Sequence, residues 1–267
     1  MSVHPPPHPP PPREATHAVV AFARARLRRG VRYGLAFTLA LLVTVAALAG
    51  FFTLVNALFA ERALDPFDTA AQTLVAGHRT PGRTNAALAL AWLGGNDMTT
   101  VFILVVSAGL LLYRRGWLVF RLVAASGLGG IVVVTLKWIW GRARPFEPIV
   151  PSDGYSFPSG HAFAATVFYG MMVYIVWAST KHVGWRALAV VLGGIMALLI
   201  GLCRVYLNVH YATDVVGGWL AGLVWLITTM LAIDGVEGWA RSRRQPRPVP
   251  ATEPGAPHAR PPGVHEG

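Results

Sequence analysis

The chain has 267 residues, of which 54% are hydrophobic and only 13% charged, with a formal net charge of +11. A soluble domain carries about a quarter charged residues, so this balance points to a membrane protein and argues against a nucleic-acid module, which needs a basic face on a water-soluble fold. The single cysteine, Cys203, excludes an internal disulfide framework and a cysteine-based zinc site.

Residues 1–30 combine a proline run with His4, His8 and His17 and a bunch of arginines at Arg24, Arg26, Arg28 and Arg29. Proline-rich polar chain cannot build a core, so this segment is expected to be a disordered tail with solvated histidines. The first apolar run, 33–59, is longer than a signal-peptide core and follows arginines rather than the start methionine, which reads as an uncleaved span. Residues 60–93 are mixed and broken by Pro66, Pro81 and Gly82, and are expected to lie in the interface or to re-enter. Further apolar runs follow at 98–113, 117–136, 162–179, 186–203 and 213–233. Each approaches the roughly 20 residues that a bilayer helix needs. The expected fold is all-α: a polytopic membrane helix bundle of about six transmembrane helices over residues 31–240, with a second disordered, basic, proline-rich tail at 241–267. Gly127-Leu128-Gly129-Gly130 and Gly193-Gly194 are read as close helix packing.

Six spans place the N-terminal tail, the Arg114-Arg115 turn, the Lys181–Arg186 turn and the C-terminal arginines on one side. Positive charge collects in the cytoplasm, so both tails are expected inside an inner, plasma membrane, and the basic bunches are expected to meet anionic headgroups.

Three polar clusters then share the opposite, external or periplasmic face. In the first, Lys137 closes the third span and Arg144-Pro145 follows after Gly141, which with the proline makes a continued helix improbable. Beside Trp138 and Trp140, these cations also fit interface snorkelling. In the second, Pro158-Ser159-Gly160-His161 stands at the head of an apolar helix, where free backbone N–H groups and the helix dipole suit phosphate oxygens. Ser159 fits a helix N-cap equally well. His161 is an ionisable group at the head of a membrane helix, with an ordinary pKa suited to donating a proton to a leaving alkoxide. In the third, Arg204 precedes His210, and Asp214 lies four residues beyond that histidine, within one helical turn. Asp214 in that position can fix the imidazole tautomer, or can simply cap the last span. Together these residues supply three fixed cations, two imidazoles, a carboxylate and a hydroxyl, a set able to hold phosphate and attack phosphorus through histidine without metal.

The three clusters resemble the signature of the type 2 phosphatidic acid phosphatase family, which shares its site with vanadium-dependent haloperoxidases. That signature is a lysine, six residues and Arg-Pro; then Pro-Ser-Gly-His; then Ser-Arg, five residues, histidine, three residues and aspartate. Lys137 to Arg144-Pro145, Pro158 to His161, and Arg204 to His210 to Asp214 match each spacing, and the resemblance spans about residues 95–232. The one departure is Cys203 where the family has serine, which weakens or removes a hydrogen bond from that hydroxyl.

The resemblance implies a membrane lipid phosphatase. In it His210 attacks phosphorus to form a phosphohistidine, Asp214 orients His210, and His161 protonates the leaving oxygen. Lys137, Arg144, Ser159, Gly160 and Arg204 hold the phosphate oxygens, and no metal or other cofactor takes part. The substrates suggested by similar bacterial proteins are undecaprenyl diphosphate, phosphatidylglycerophosphate and phosphatidate. Arg142 is read as a further cation for a second phosphate or for headgroups. The partners expected are the lipid phosphate and the bilayer, with no nucleic acid and no obligate protein partner. A haloperoxidase is disfavoured by the six apolar spans, and a relict transporter by the presence of His161, His210 and Asp214. A lipid phosphotransferase, passing the phosphate to another lipid or a sugar, is the second reading.

Overall fold

A computed structural model of the chain describes residues 34–244; the first tail and nearly all of the second fall outside the described residues. The described residues form eight helices: α1 (Leu35–Phe59), α2 (Asp65–Gly77), α3 (Pro81–Leu93), α4 (Asn96–Leu112), α5 (Gly116–Trp140), α6 (Gly160–Ser179), α7 (Val183–Tyr206) and α8 (Ala212–Arg244). No strand occurs among the described residues. Helix is the economical solution for apolar chain in lipid, because every backbone donor finds its acceptor within the same segment.

Five helices, α1, α5, α6, α7 and α8, are each long and apolar enough to cross a bilayer. The expected span at 98–113 is the 17-residue α4, which reaches spanning length only together with α3, from which it is bent by 52°. The span count is therefore five, or six with the bent pair as one. Gly94-Gly95 makes the bend, and a side chain at Gly94 would overlap Ile200 of α7, so the break is pressed against a neighbouring span. The mixed segment before it folds rather than trailing. Pro66 sits near the start of α2, while α3 opens on Thr80, whose hydroxyl accepts from the Arg83 N–H at 3.3 Å, followed by Pro81. Proline at these first positions costs no hydrogen bond, which is how residues that break a long helix can start a short one.

The helices carry apolar residues on both inward and outward faces. Leu122, Phe163, Val167 and Met171 are buried at the centre together with Phe157 of the loop before α6, whereas Leu42, Leu104, Ile131, Leu192 and Leu202 stand exposed. Such exposure is costly in water and appropriate against acyl chains. Helix α6 packs along α7 and against α5, and α3 lies on α7. Helix α8 is tied to α7 by the Trp219 Nε1–H bond to the Ala197 carbonyl (3.1 Å) and to α5 by the Trp225 Nε1–H bond to the Ala125 carbonyl (2.8 Å). The described residues divide after Ile233 into two units. In the second, the Arg243 guanidinium lies 4.0 Å from the centre of the Trp239 ring.

The basic turns meet at one end. Arg115 Nη1 donates to Ser179 Oγ at 2.8 Å, and Arg186 donates to the carbonyls of Thr180 and Trp177. The end of α5, the loop 141–159 and the start of α6 consequently lie at the other end, where the three polar clusters gather.

Candidate active site

Lys137 lies in the last turn of α5, one turn before the helix stops. Gly141 ends it in the left-handed region at φ 56°, with its N–H returned to the Lys137 carbonyl at 3.0 Å, a conformation that favours glycine. Lys137 is therefore a packed helical residue, and its Nζ donates to the carbonyls of Tyr155 (2.7 Å) and Ser156 (3.3 Å). Arg144 is moored by the loop it belongs to. Its Nε donates to the Gly154 carbonyl at 3.0 Å, Nη2 to Asp153 at 2.9 Å and Nη1 to Val209 at 2.8 Å, and Nη1 stands 3.4 Å from His210 Nε2. Burial lowers its pKa against the opposing pull of Asp214 and Asp153. An arginine so placed still remains cationic at neutral pH.

Ser159 occupies the N-cap position of α6 but does not cap it. It is fully buried, and its Oγ has no hydrogen-bond partner among the described residues. Its N–H instead donates to the Asp214 carbonyl at 2.9 Å, fastening the head of α6 to the head of α8. A buried hydroxyl without a partner costs about 1–3 kcal/mol, so a serine kept there has a use other than capping. Arg204, in the last turn of α7, has a buried Nε in the same condition.

His210 sits in the short turn between α7 and α8, which reverses through Asn208 at φ 56°. The imidazole is almost fully buried, with Nδ1 facing Ser156 Oγ at 3.3 Å and Asp214 Oδ2 at 3.4 Å. Ser156 donates its own hydroxyl proton to Asp214 Oδ2, which also accepts the Tyr211 N–H at 2.9 Å. Two acceptors thus surround Nδ1, which assigns the ring proton there and leaves the lone pair on Nε2. Burial pushes the His210 pKa down to about 4 despite the neighbouring Asp214, so the ring is neutral at physiological pH.

A cavity of about 480 Å³ opens beside that nitrogen, lined by Lys137, Arg144, Gly160, His161, Arg204 and His210. Ser159 and Asp214 are buried next to it and are not among its lining residues. The cavity continues between α4, α5 and α6 past Thr99, Ile103, Val133, Val134 and Val167, changing from basic to apolar. Cys203 is not among its lining residues, although the adjoining Arg204 is. Its Sγ donates to the Ile200 carbonyl at 3.0 Å, and the residue packs in a cluster with Ala87, Ala91 and Leu207. Among the described residues no group of three His, Cys, Asp or Glu is placed to hold a metal ion.

A family model described as the PAP2 superfamily matches residues 118–236. Phosphatidylglycerophosphatase B of Bacillus subtilis (strain 168) is 31% identical over 180 residues, covering 65% of this chain and 87% of that protein. The chain belongs to the PAP2 superfamily. An undecaprenyl-diphosphatase of Sulfolobus acidocaldarius is 33% identical over 129 residues, covering 44% of this chain and 56% of that protein. In structure the chain is similar to a transmembrane PAP2-type phosphatidylglycerolphosphate phosphatase from Bacillus subtilis, with a TM-score of 0.65, 27% identity, and coverage of 76% of this chain and 98% of that one. This PAP2 protein is thus a multi-pass membrane enzyme of the lipid phosphatase class.

Three residues around the PAP2 site lie outside the motif reading. Ser156 completes the surroundings of His210 and Asp214 from the loop before the second motif. Asp68 of α2, 1% exposed, and Arg142 form buried ion pairs, with Arg142 Nη2 2.8 Å from Asp68 Oδ2 and Nη1 2.6 Å from Asp214 Oδ1. The expectation that Arg142 serves a second phosphate or headgroups is corrected here: both ends of its guanidinium are engaged by carboxylates, and it does not line the cavity. Burial would lower the Arg142 pKa, yet Asp214 and Asp68 more than offset this and raise it. The only sequence signal for Asp68 was an acidic residue in the first turn of a short helix, and it precedes the residues that the PAP2 model matches.

Proposed function

We propose that this PAP2 protein hydrolyses a lipid phosphate or diphosphate, of the undecaprenyl diphosphate, phosphatidylglycerophosphate or phosphatidate type, through a phosphohistidine on His210. The observation that carries this reading is the pairing of a neutral imidazole, held at Nδ1 by Asp214 and Ser156, with an Nε2 beside a cavity walled by three cations and a second histidine. His210 Nε2 attacks phosphorus and the bond from phosphorus to the lipid oxygen breaks. That oxygen takes a proton from His161. In the second step His161 removes a proton from water, the hydroxide attacks the phosphorus on His210, and phosphate leaves with the imidazole restored.

Lys137, Arg144, Arg204, Ser159 and the Gly160 N–H hold the phosphate oxygens. In this role the Ser159 hydroxyl and Arg204 Nε gain the partners they otherwise lack. Three fixed positive charges supply the stabilisation that a divalent ion gives other phosphoryl-transfer sites, which supports metal-independent turnover. A lipid substrate is supported by the apolar continuation of the cavity between α4, α5 and α6, and by the phosphatase names of the relatives. The positive-inside distribution supports an external catalytic face with both tails in the cytoplasm.

Purified protein in chelator, offered a panel of lipid mono- and diphosphates together with an acceptor lipid, is expected to release inorganic phosphate from at least one of them. Activity that disappears in chelator and returns with magnesium would refute metal independence. Phosphate recovered only on the acceptor would make the enzyme a transferase.

A further inference from the structure

We infer that Asp68 and Arg142 are positioning residues of this site, through which α2 fixes both the orientation of Asp214 and the net negative charge behind His210. The inference rests on the reading of His210 as the nucleophile.

The two oxygens of Asp214 have separate duties. Oδ2 accepts from Ser156 and from the Tyr211 N–H and faces His210 Nδ1, whereas Oδ1 is occupied by Arg142 at 2.6 Å. Pinning Oδ1 is what aims Oδ2. Arg142 is itself held from the other side, since its Nη2 donates to Asp68 Oδ2 and its Nη1 to Thr213 Oγ1 at 2.8 Å, with its guanidinium 4.2 Å from the centre of the Tyr211 ring. Asp68 closes the ring by accepting the Thr213 hydroxyl on Oδ2 and the Thr213 N–H on Oδ1 at 3.0 Å. Asp68 and Asp214 are fully buried and the Arg142 side chain is 14% exposed, leaving little solvent to screen the two carboxylates.

The charges add up to a function that a helix cap does not need. The other charged or titratable groups facing His210 are Lys137, Arg144, Arg204 and His161, all basic. When His210 takes up phosphate at Nε2 and keeps its Nδ1 proton, the ring becomes cationic among those cations. Asp214 alone would be matched by Arg142. Asp68 provides the second carboxylate, so the buried trio keeps one net negative charge against the phosphorylated ring. A cap for α8 requires only an acceptor for the Thr213 N–H, which asparagine would supply.

The test is rapid-quench measurement of acid-labile phosphate on His210 in full-length purified protein with an activated aryl phosphate. Asp68→Asn keeps the shape and the cap acceptor but removes the charge. Its phosphorylation rate is expected to fall by about ten- to a hundredfold, the range typical for loss of a group that orients a functional residue, while KM stays near wild type. Arg142→Lys keeps the net charge but cannot hold both carboxylates at once, and its phosphorylation rate is expected to fall in the same way. Wild-type phosphorylation rates in Asp68→Asn or in Arg142→Lys would overturn the inference. Absence of phosphate on His210 in the wild-type protein would remove the underlying reading as well, so the two failures are distinguishable.

Discussion

The imidazole of His210 is held at Nδ1 by Asp214 and Ser156, with Arg144 Nη1 3.4 Å from its Nε2, and His161 lines the same cavity without that carboxylate. This difference separates their proposed roles. A general acid matters most when the departing oxygen is strongly basic and contributes about a hundred- to ten-thousand-fold. His161→Ala is therefore expected to lose activity in that range on a lipid monophosphate and to keep far more of it on an aryl phosphate, whose leaving group departs without the proton. Equal losses on both substrates would remove His161 from the acid role. The eight proposed site residues were visible in the sequence because three compact motifs hold them, and each motif occupies one end of an apolar run where polar residues stand out. The surrounding residues were not. Asp68 meets Thr213 across 145 positions of sequence, and an aspartate in a first helical turn looks the same whether it faces water or a buried arginine. Arg142 was visible as a charge, but its direction is decided by partners that adjacency to Arg144 does not reveal.

At the scale of elements, the site depends on how closely α6 and α8 approach. A Cβ at Gly218 would come within 2.6 Å of the Ser159 carbonyl and 2.9 Å of Ala162 Cβ, and one at Gly222 within 2.9 Å of the Phe163 carbonyl. Backbone atoms cannot move aside as a flexible side chain can. The small residues at Gly218 and Gly222, four apart on one helix face, bring Ser159 of one helix beside Asp214 of the other. Gly218→Ala is expected to destabilise the protein by about 1–3 kcal/mol and to lower kcat by displacing both helix heads. An alanine variant with wild-type thermal midpoint and kcat would show that the crossing tolerates a wider gap. The long helices were readable because apolar length is a direct requirement of the bilayer. Helices α2 and α3 were not, since proline and glycine signal a break in one long helix without saying whether short helices form on either side.

For the whole molecule, the basic turns at one end and the cavity at the other give the bundle a polarity that the membrane converts into sidedness. Under the positive-inside rule we propose that both tails lie in the cytoplasm and that the cavity faces out. Cysteines placed singly in either tail are expected to resist an impermeant maleimide in intact cells and to label after lysis. The native Cys203 is buried and gives little background in that assay. Ready labelling of both tails in intact cells would reverse the orientation and put the catalytic face in the cytoplasm. The six-run pattern anticipated the bundle, yet the bend between α3 and α4 depends on Gly94 meeting Ile200 of α7, a contact that local sequence does not display.

The central claim is covalent catalysis by His210, and the most direct measurement is the position of phosphate on the enzyme during turnover. Protein quenched in alkali while hydrolysing an aryl phosphate, then digested and sequenced by mass spectrometry, is expected to carry an acid-labile phosphate on His210. That label is expected to be absent from His210→Ala, which should also be inactive on every substrate. A phosphoenzyme that persists in His210→Ala, or turnover retained by that variant, would contradict the account.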